Sequence, residues 1–187
     1  MITIVYCHPS NKSFNHSILQ SITDRLTGEG REYDVVNLYG EGFDPVLDSS
    51  AIAAYSNGRS EDEKVRHYQD ALRQTEQLVF IFPIWWGMMP AMLKGWIDKV
   101  FEKDIVYDTT PEGAIMPCLS IDRTTVITTS EEPSEVIAPF IEGYFTPQVL
   151  NAVGMNGVRW FNCSNTTSGG AAHRQEFIGT VVESIIL

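Results

Sequence analysis

The segment Leu78–Phe101 constrains the chain more than any other part of it. LVFIFP is a run of buried-type apolar residues, of strand length and β-rich composition. It breaks at Pro83-Ile84-Trp85-Trp86-Gly87-Met88-Met89-Pro90, and AMLKGWIDKVF then places Met92, Leu93, Trp96, Ile97, Val100 and Phe101 at the i, i+3, i+4, i+7 spacing of a half-buried helix. A strand without alternation must be covered on both faces, which points to a parallel sheet between helical layers. In such a sheet, ligands bind outside the carboxyl ends of the strands, and two tryptophans stand there in a Gly/Pro-bounded turn. A flat aromatic wall suits a flat ligand; a flavin ring is the first candidate, and an ordinary core or interface position for Trp85 and Trp86 is the other reading.

The rest of the chain repeats the pattern. Strands are expected at Ile2–Tyr6, Tyr33–Leu38, Leu78–Pro83, Thr124–Thr129 and Val158–Cys163. Helices are expected from Phe14, Ile18, Ile22 and Leu26 up to Gly28 and Gly30, over Glu61–Gln77, after Pro90, over Pro139–Phe145 with a kink or restart at Pro147, and around Phe177–Ile186. Tyr39–Ser60 reads as a long surface excursion, and Ile105–Ser120 as a loop with little periodicity. Right-handed crossovers leave the doubly wound orders, Rossmann-like or flavodoxin-like, and five strands in this length favour the second: a three-layer α/β sandwich with a parallel sheet of order 2-1-3-4-5 and helices on both faces, formed by one domain over residues 1–187. The ligand crevice then lies among the loops after strands 1, 3 and 4.

The loop after strand 1, Cys7-His8-Pro9-Ser10-Asn11-Lys12-Ser13-Phe14-Asn15, ends at a helix N-terminus, where orphan amides and the positive end of the helix dipole favour a phosphate. Ser13 is a cap or a direct donor, and His8 adds a charge-assisted contact if a phosphate raises its pKa. In the bland reading Ser13 is only an N-cap and His8 only a loop residue. No GxGxxG follows strand 1 and no GxxxxGK[ST] occurs, so dinucleotide-Rossmann and P-loop readings lack residues to rest on. Cys7 stands where a phosphatase nucleophile would, but the residue six further on is Ser13 rather than arginine. Histidines 8, 16, 67 and 173 show no metal-ligand spacing, so no metal is expected. At the end of strand 4, the amides of Thr128-Thr129-Ser130 are placed to meet the polar edge of a bound ring, with Glu131 and Glu132 expected to face water as a solvated pair.

A formal charge of −11 over 187 residues, with Lys and Arg few and scattered, argues against nucleic acid or an anionic membrane as partner. Three unpaired cysteines and the absence of a basic, apolar leader suggest reduced thiols in the cytoplasm.

With these loops in view, the chain resembles the NAD(P)H:quinone oxidoreductase family of flavodoxin-like flavoproteins. That family includes the eukaryotic quinone reductases, bacterial modulator-of-drug-activity-type reductases and the ancillary reductases of potassium-efflux systems. The resemblance is carried by His8…Ser13-Phe14-Asn15 and by Phe80–Phe101, which is similar almost end to end to the family's FPLxWxxxPAxLKGWxDRVF signature. Asn37-Leu38-Tyr39…Phe43-Asp44-Pro45 and Pro147…Gly157 add weaker matches.

The resemblance implies a flavin, FMN or FAD, with FMN favoured by the short chain. Its phosphate would lie on His8, Ser13, Phe14 and Asn15, its ring on Pro83, Ile84, Trp85, Trp86 and Gly87, and its polar edge at Thr128, Thr129 and Ser130. It also implies a homodimer with interface active sites and ping-pong hydride transfer from NAD(P)H through flavin to a quinone-like acceptor. From loop position, Trp85 or Trp86 and the Tyr39–Ser60 excursion are expected to shape the acceptor pocket, together with Tyr107 of the partner subunit. Two departures stand out. Ser130 and Glu131 replace a glycine pair of the family, and Val136 with Glu142 or Gly143 stand where it carries a Tyr and a His. Two alternatives stay open: a flavin-bound regulatory subunit of a membrane transporter, and a member whose altered strand-4 loop no longer holds flavin.

Overall fold

The computed structural model describes residues 1–55 and 60–186. Five parallel strands form the sheet: β1 (Ile2–Tyr6), β2 (Tyr33–Asn37), β3 (Gln77–Pro83), β6 (Arg123–Thr129) and β7 (Val158–Cys163). Their order is β2-β1-β3-β6-β7, which is 2-1-3-4-5 when only these strands are numbered. Alternation along each strand divides the apolar residues between two cores. Ile4, Tyr6, Val79, Ile81 and Ile127 face α1 (Phe14–Gly28) and α6 (Gly170–Ile186). Val5, Leu78, Phe80, Phe82 and Val126 face α3 (Glu63–Arg73), α4 (Ala91–Val100) and α5 (Ser134–Phe140). Trp96 of α4, fully buried, packs edge-on to Phe80 at 6.1 Å and to Phe101 at 5.9 Å.

Several boundaries differ from the sequence expectation for local reasons. The excursion after β2 holds a further helix, α2 (Ser49–Tyr55), entered through Asp48, whose Oδ1 accepts the Ala51 N–H at 2.8 Å. The rest of that expected excursion, residues 56–59, lies outside the described residues. α3 starts later than expected because Asp62 caps it, accepting from Lys64 N at 2.9 Å. It ends before Thr75, and Gln77 already belongs to the sheet. The expected loop 105–120 contains an antiparallel hairpin, β4 (Tyr107–Thr109) with β5 (Ile115–Pro117). Strands of three residues are too short to leave a period in the sequence.

The expected helix 139–145 begins earlier, at Ser134, and Pro147 neither breaks nor restarts it. The chain continues as a π-helical stretch, Ile141–Leu150, and then a 3₁₀ turn, Asn151–Val153. A proline lacks an N–H and clashes with the carbonyl four residues back, and the wider π turn gives that carbonyl room.

One close approach fixes the loop after β2 against the helix that follows the tryptophan turn. A Cβ on Gly95 of α4 would fall 2.3 Å from the Pro45 carbonyl oxygen. Gly95→Ala is therefore expected to lower stability by about 1–3 kcal/mol, the usual cost of overpacking. Urea denaturation measures it, and an unchanged midpoint would show that Pro45 does not bear on α4.

Candidate functional site

Parallel pairing aligns the carboxyl ends of four strands: Tyr6 with Ile81, Pro83 with Thr129, and Thr129 with Cys163. The loops that leave these ends enclose a cleft of about 640 Å³. Its walls come from the β1 loop and first turn of α1 (His8 to Ser17), from Pro83-Ile84-Trp85, from Thr129-Ser130-Glu131, and from Thr166, Thr167 and Arg174.

Ser13 caps α1, its Oγ accepting from His16 N at 3.1 Å. The His16 and Ser17 amides also reach the Ser13 carbonyl, so the Phe14 and Asn15 amides are the first-turn donors left open. Asn15 is 3% exposed; its Oδ1 accepts from Thr129 Oγ1 at 2.7 Å, and its Nδ2 is buried without a partner. A buried amide donor left unpaired is costly, and a ligand oxygen at the cleft wall would satisfy it.

His8 Nδ1 accepts from Ser10 N at 3.0 Å, which leaves Nε2 as the protonated nitrogen of the neutral ring. Burial holds its pKa below the ordinary histidine value. Its ring meets Trp85 edge-on at 5.9 Å. Cys7 is fully buried and its thiol is pushed up to about 12 by desolvation, so it is no nucleophile.

The tryptophan turn resolves into two roles. Trp85 N donates to Met88 O at 2.9 Å and Met88 N to Trp85 O at 3.1 Å, which closes a two-residue hairpin. Trp86 at φ 53° and Gly87 at φ 74° are the left-handed pair of a type I′ turn. Trp85 lines the cleft, whereas Trp86 is fully exposed and, like Gly87, lies outside its wall. A bulky side chain held at positive φ and in water is the kind of strain that persists for a use.

Strand alternation separates the residues expected after β6. Thr129 and Ser130 line the cleft. Thr128 turns to the opposite face, where its Oγ1 donates to Asn162 Oδ1 at 2.8 Å and accepts from Trp160 Nε1 at 2.8 Å. The Ser130 amide, expected to face a ligand, is taken by the Cys163 carbonyl at 2.9 Å. Glu131 is exposed but not free: its carboxylate accepts from the Thr167 N–H and from Ser168 Oγ at 3.2 Å, and the first of these holds its pKa below the carboxylate range. The side chain that replaces glycine thus binds the neighbouring loop. Tyr107 sits half-buried in the β4–β5 hairpin, outside this cleft, and Val136 is exposed on α5.

The fourth wall was not expected from the sequence. Arg174 donates through Nη1 to Thr166 O at 2.9 Å, with its guanidinium 6.0 Å from the Phe14 ring centroid. With Lys12 it gives the cleft two cations. The signal was the run Asn165-Thr166-Thr167-Ser168-Gly169-Gly170 between a strand and a helix. Among the described residues no group of three or more His, Cys, Asp or Glu is arranged to hold a metal, and no helix is long and apolar enough to cross a membrane.

The neutral His8 ring accepts from Ser10, and protonation would break that bond. Because its folded pKa is depressed, the contribution is present above the unfolded value of about 6.5 and is lost as pH falls below it. The thermal midpoint is expected to decline as pH falls below about 6.5, and His8→Gln should flatten that decline. Identical slopes in the two proteins would show that His8 is not the group responsible.

Comparison with known proteins follows the same lines. The sequence profile of the flavodoxin-like fold family matches residues 1–184. Human ribosyldihydronicotinamide dehydrogenase [quinone] is 29% identical over 123 residues, 57% of this chain and 53% of its own length. This chain thus spans about half the length of the curated relatives it matches. Smu.1420 of Streptococcus mutans superposes with TM-score 0.84 at 30% identity, covering 98% of this chain and 97% of its own. NAD(P)H:quinone oxidoreductase of Methanothermobacter marburgensis superposes with TM-score 0.87 at 24% identity, with 98% and 95% covered.

Proposed function

Since the chain belongs to the flavodoxin-like fold family, we propose that its cleft binds FMN and that the protein is an NAD(P)H oxidoreductase that delivers a hydride equivalent to quinones or similar acceptors. The observation that carries this reading is the buried, unpartnered Nδ2 of Asn15 beside the open first-turn amides of α1. That donor set suits a phosphate, and Lys12 and Arg174 supply positive charge in the same cleft. A second support is the aromatic and apolar strip Pro83-Ile84-Trp85 across from a hydroxyl-bearing wall, as an amphipathic planar ring requires.

When bound, FMN supplies the two-electron chemistry of a ping-pong cycle, with NAD(P)H and acceptor visiting in turn. The protein's own groups bind and orient. Asn15 and the α1 amides hold the phosphate, and the neutral His8 ring donates through Nε2. Trp85 packs on the ring. Trp86, outside the cleft wall and locked in its turn, is the residue that would meet the acceptor. Exposed Met88 and Tyr144 border one apolar groove, surface of the kind that a second copy covers. We include a homodimer in the proposal, with Tyr107 of the partner subunit as the remaining acceptor-pocket candidate. The side chain of Glu131 lies on Thr167 and Ser168, which favours this reading over a member that has lost its flavin.

The purified protein, or apoprotein mixed with FMN, should show flavin absorbance that NADH or NADPH bleaches and a quinone restores. Trp85→Ala should weaken FMN binding about tenfold, the scale of a lost stacking contact. Trp86→Ala should leave the FMN dissociation constant within about twofold and raise KM for the acceptor. A colourless protein that gains no absorbance with FMN or FAD would end the proposal.

A further inference from the structure

A threonine at the end of β6 and an asparagine in the first turn of α1 share one short hydrogen bond in the cleft wall. Thr129 Oγ1 donates to Asn15 Oδ1 at 2.7 Å, across 114 positions of the chain. Both residues are buried. The Thr129 carbonyl accepts from Ile84 N at 2.8 Å, which pins this strand end to the loop after β3. A β-branched side chain has little freedom at χ1. The hydroxyl is therefore delivered to Asn15 at a place set by the sheet.

This bond decides which end of the Asn15 amide is left over. The two ends are alike in size and opposite in polarity: the oxygen accepts, and the NH2 group donates twice. A hydroxyl that spends its proton on the oxygen leaves the NH2 group over, and Nδ2 is indeed the buried atom without a partner. With the amide turned over, Nδ2 would donate to the hydroxyl, whose own proton would then lack an acceptor among the described residues. A carbonyl oxygen would also take the place of Nδ2, in the same helical turn as the open Phe14 and Asn15 amides, and would repel an anion there.

We propose that Thr129 is a positioning residue for the cofactor phosphate: by holding Asn15 Oδ1, it keeps Asn15 Nδ2 as the donor that a phosphate oxygen meets. The inference rests on the flavin reading above and adds to it a residue that acts through another. It also changes the part that strand order alone assigns to Thr129. A residue at the end of β6 is expected against the polar edge of the ring, yet its hydroxyl is committed to the helix whose first turn takes the phosphate. The two roles separate by ligand. A ring contact matters equally to FMN and to riboflavin, which has the same ring and ribityl chain without the phosphate. A contact that aims Asn15 matters to FMN alone.

The test is fluorescence titration of apoprotein with FMN and with riboflavin, in the parent, Thr129→Val and Thr129→Ser. Valine keeps the shape and removes the hydroxyl; serine restores it. Thr129→Val should weaken FMN at least about tenfold, the scale of a hydrogen bond to a charged group, and shift riboflavin less than about twofold. Thr129→Ser should return FMN to within about threefold of the parent. Thr129→Ala makes the same deletion with less bulk and replaces the valine variant should that one fail to fold. In an Asn15→Ala background, removing the Thr129 hydroxyl should alter FMN binding less than about twofold, because no amide is left to orient. Equal weakening of FMN and riboflavin, an undiminished effect in the Asn15→Ala background, or FMN binding unchanged without the hydroxyl overturns the inference and leaves flavin binding intact. Failure of the parent to bind either flavin overturns the flavin reading itself, and this inference with it.

Discussion

Register between parallel strands is the constraint on which the cleft depends. Once Tyr6 pairs with Ile81, Pro83 with Thr129 and Thr129 with Cys163, four βα loops must leave the sheet at one level. Nothing in those loops has to find the others, because the ladder brings them together. The register in turn is fixed by burial. Each central strand alternates between two closed cores, so a slip of one residue would exchange their contents and place Tyr6, Phe80 and Phe82 against the wrong helices. The polar chemistry at the loop ends is thus held in place by apolar packing well below it.

This explains what was legible in the sequence. The five sheet strands and their order followed from apolar runs separated by helical spacing, and the cleft's main walls followed from the strand ends. Within those walls, only strand parity decides which residue faces a ligand. Thr128 and Thr129 look equivalent in a list, yet one bonds Asn162 and Trp160 while the other bonds Asn15. The tryptophan pair shows the same limit. A two-residue turn with both φ values positive sends adjacent indoles to different places, and Trp-Trp-Gly does not announce a type I′ turn as Asn-Gly would.

Other features left no local pattern at all. The β4–β5 hairpin is too short to show alternation, and the π-helical run through Pro147 goes against the usual meaning of proline. The wall from Thr166 to Arg174 depends on a hydrogen bond between loops 36 residues apart, Thr167 N to Glu131. Long-range polar pairs of this sort obey no period. They can be anticipated only once the sheet has placed both partners.

Charge gives the last step of the argument. A formal −11 would seem to disfavour an anionic ligand anywhere on this protein. Exposed charges more than about 8–10 Å apart are largely screened at physiological salt, so the few groups around a ligand outweigh the total. In the cleft these are Lys12, Arg174 and Glu131, beside a histidine that burial keeps neutral. Two cations and one anion leave the cleft with a net positive charge, which suits a small anion. Net charge describes how the whole molecule meets polymers and surfaces. The few charged side chains around one cleft describe whether it will hold a small anion.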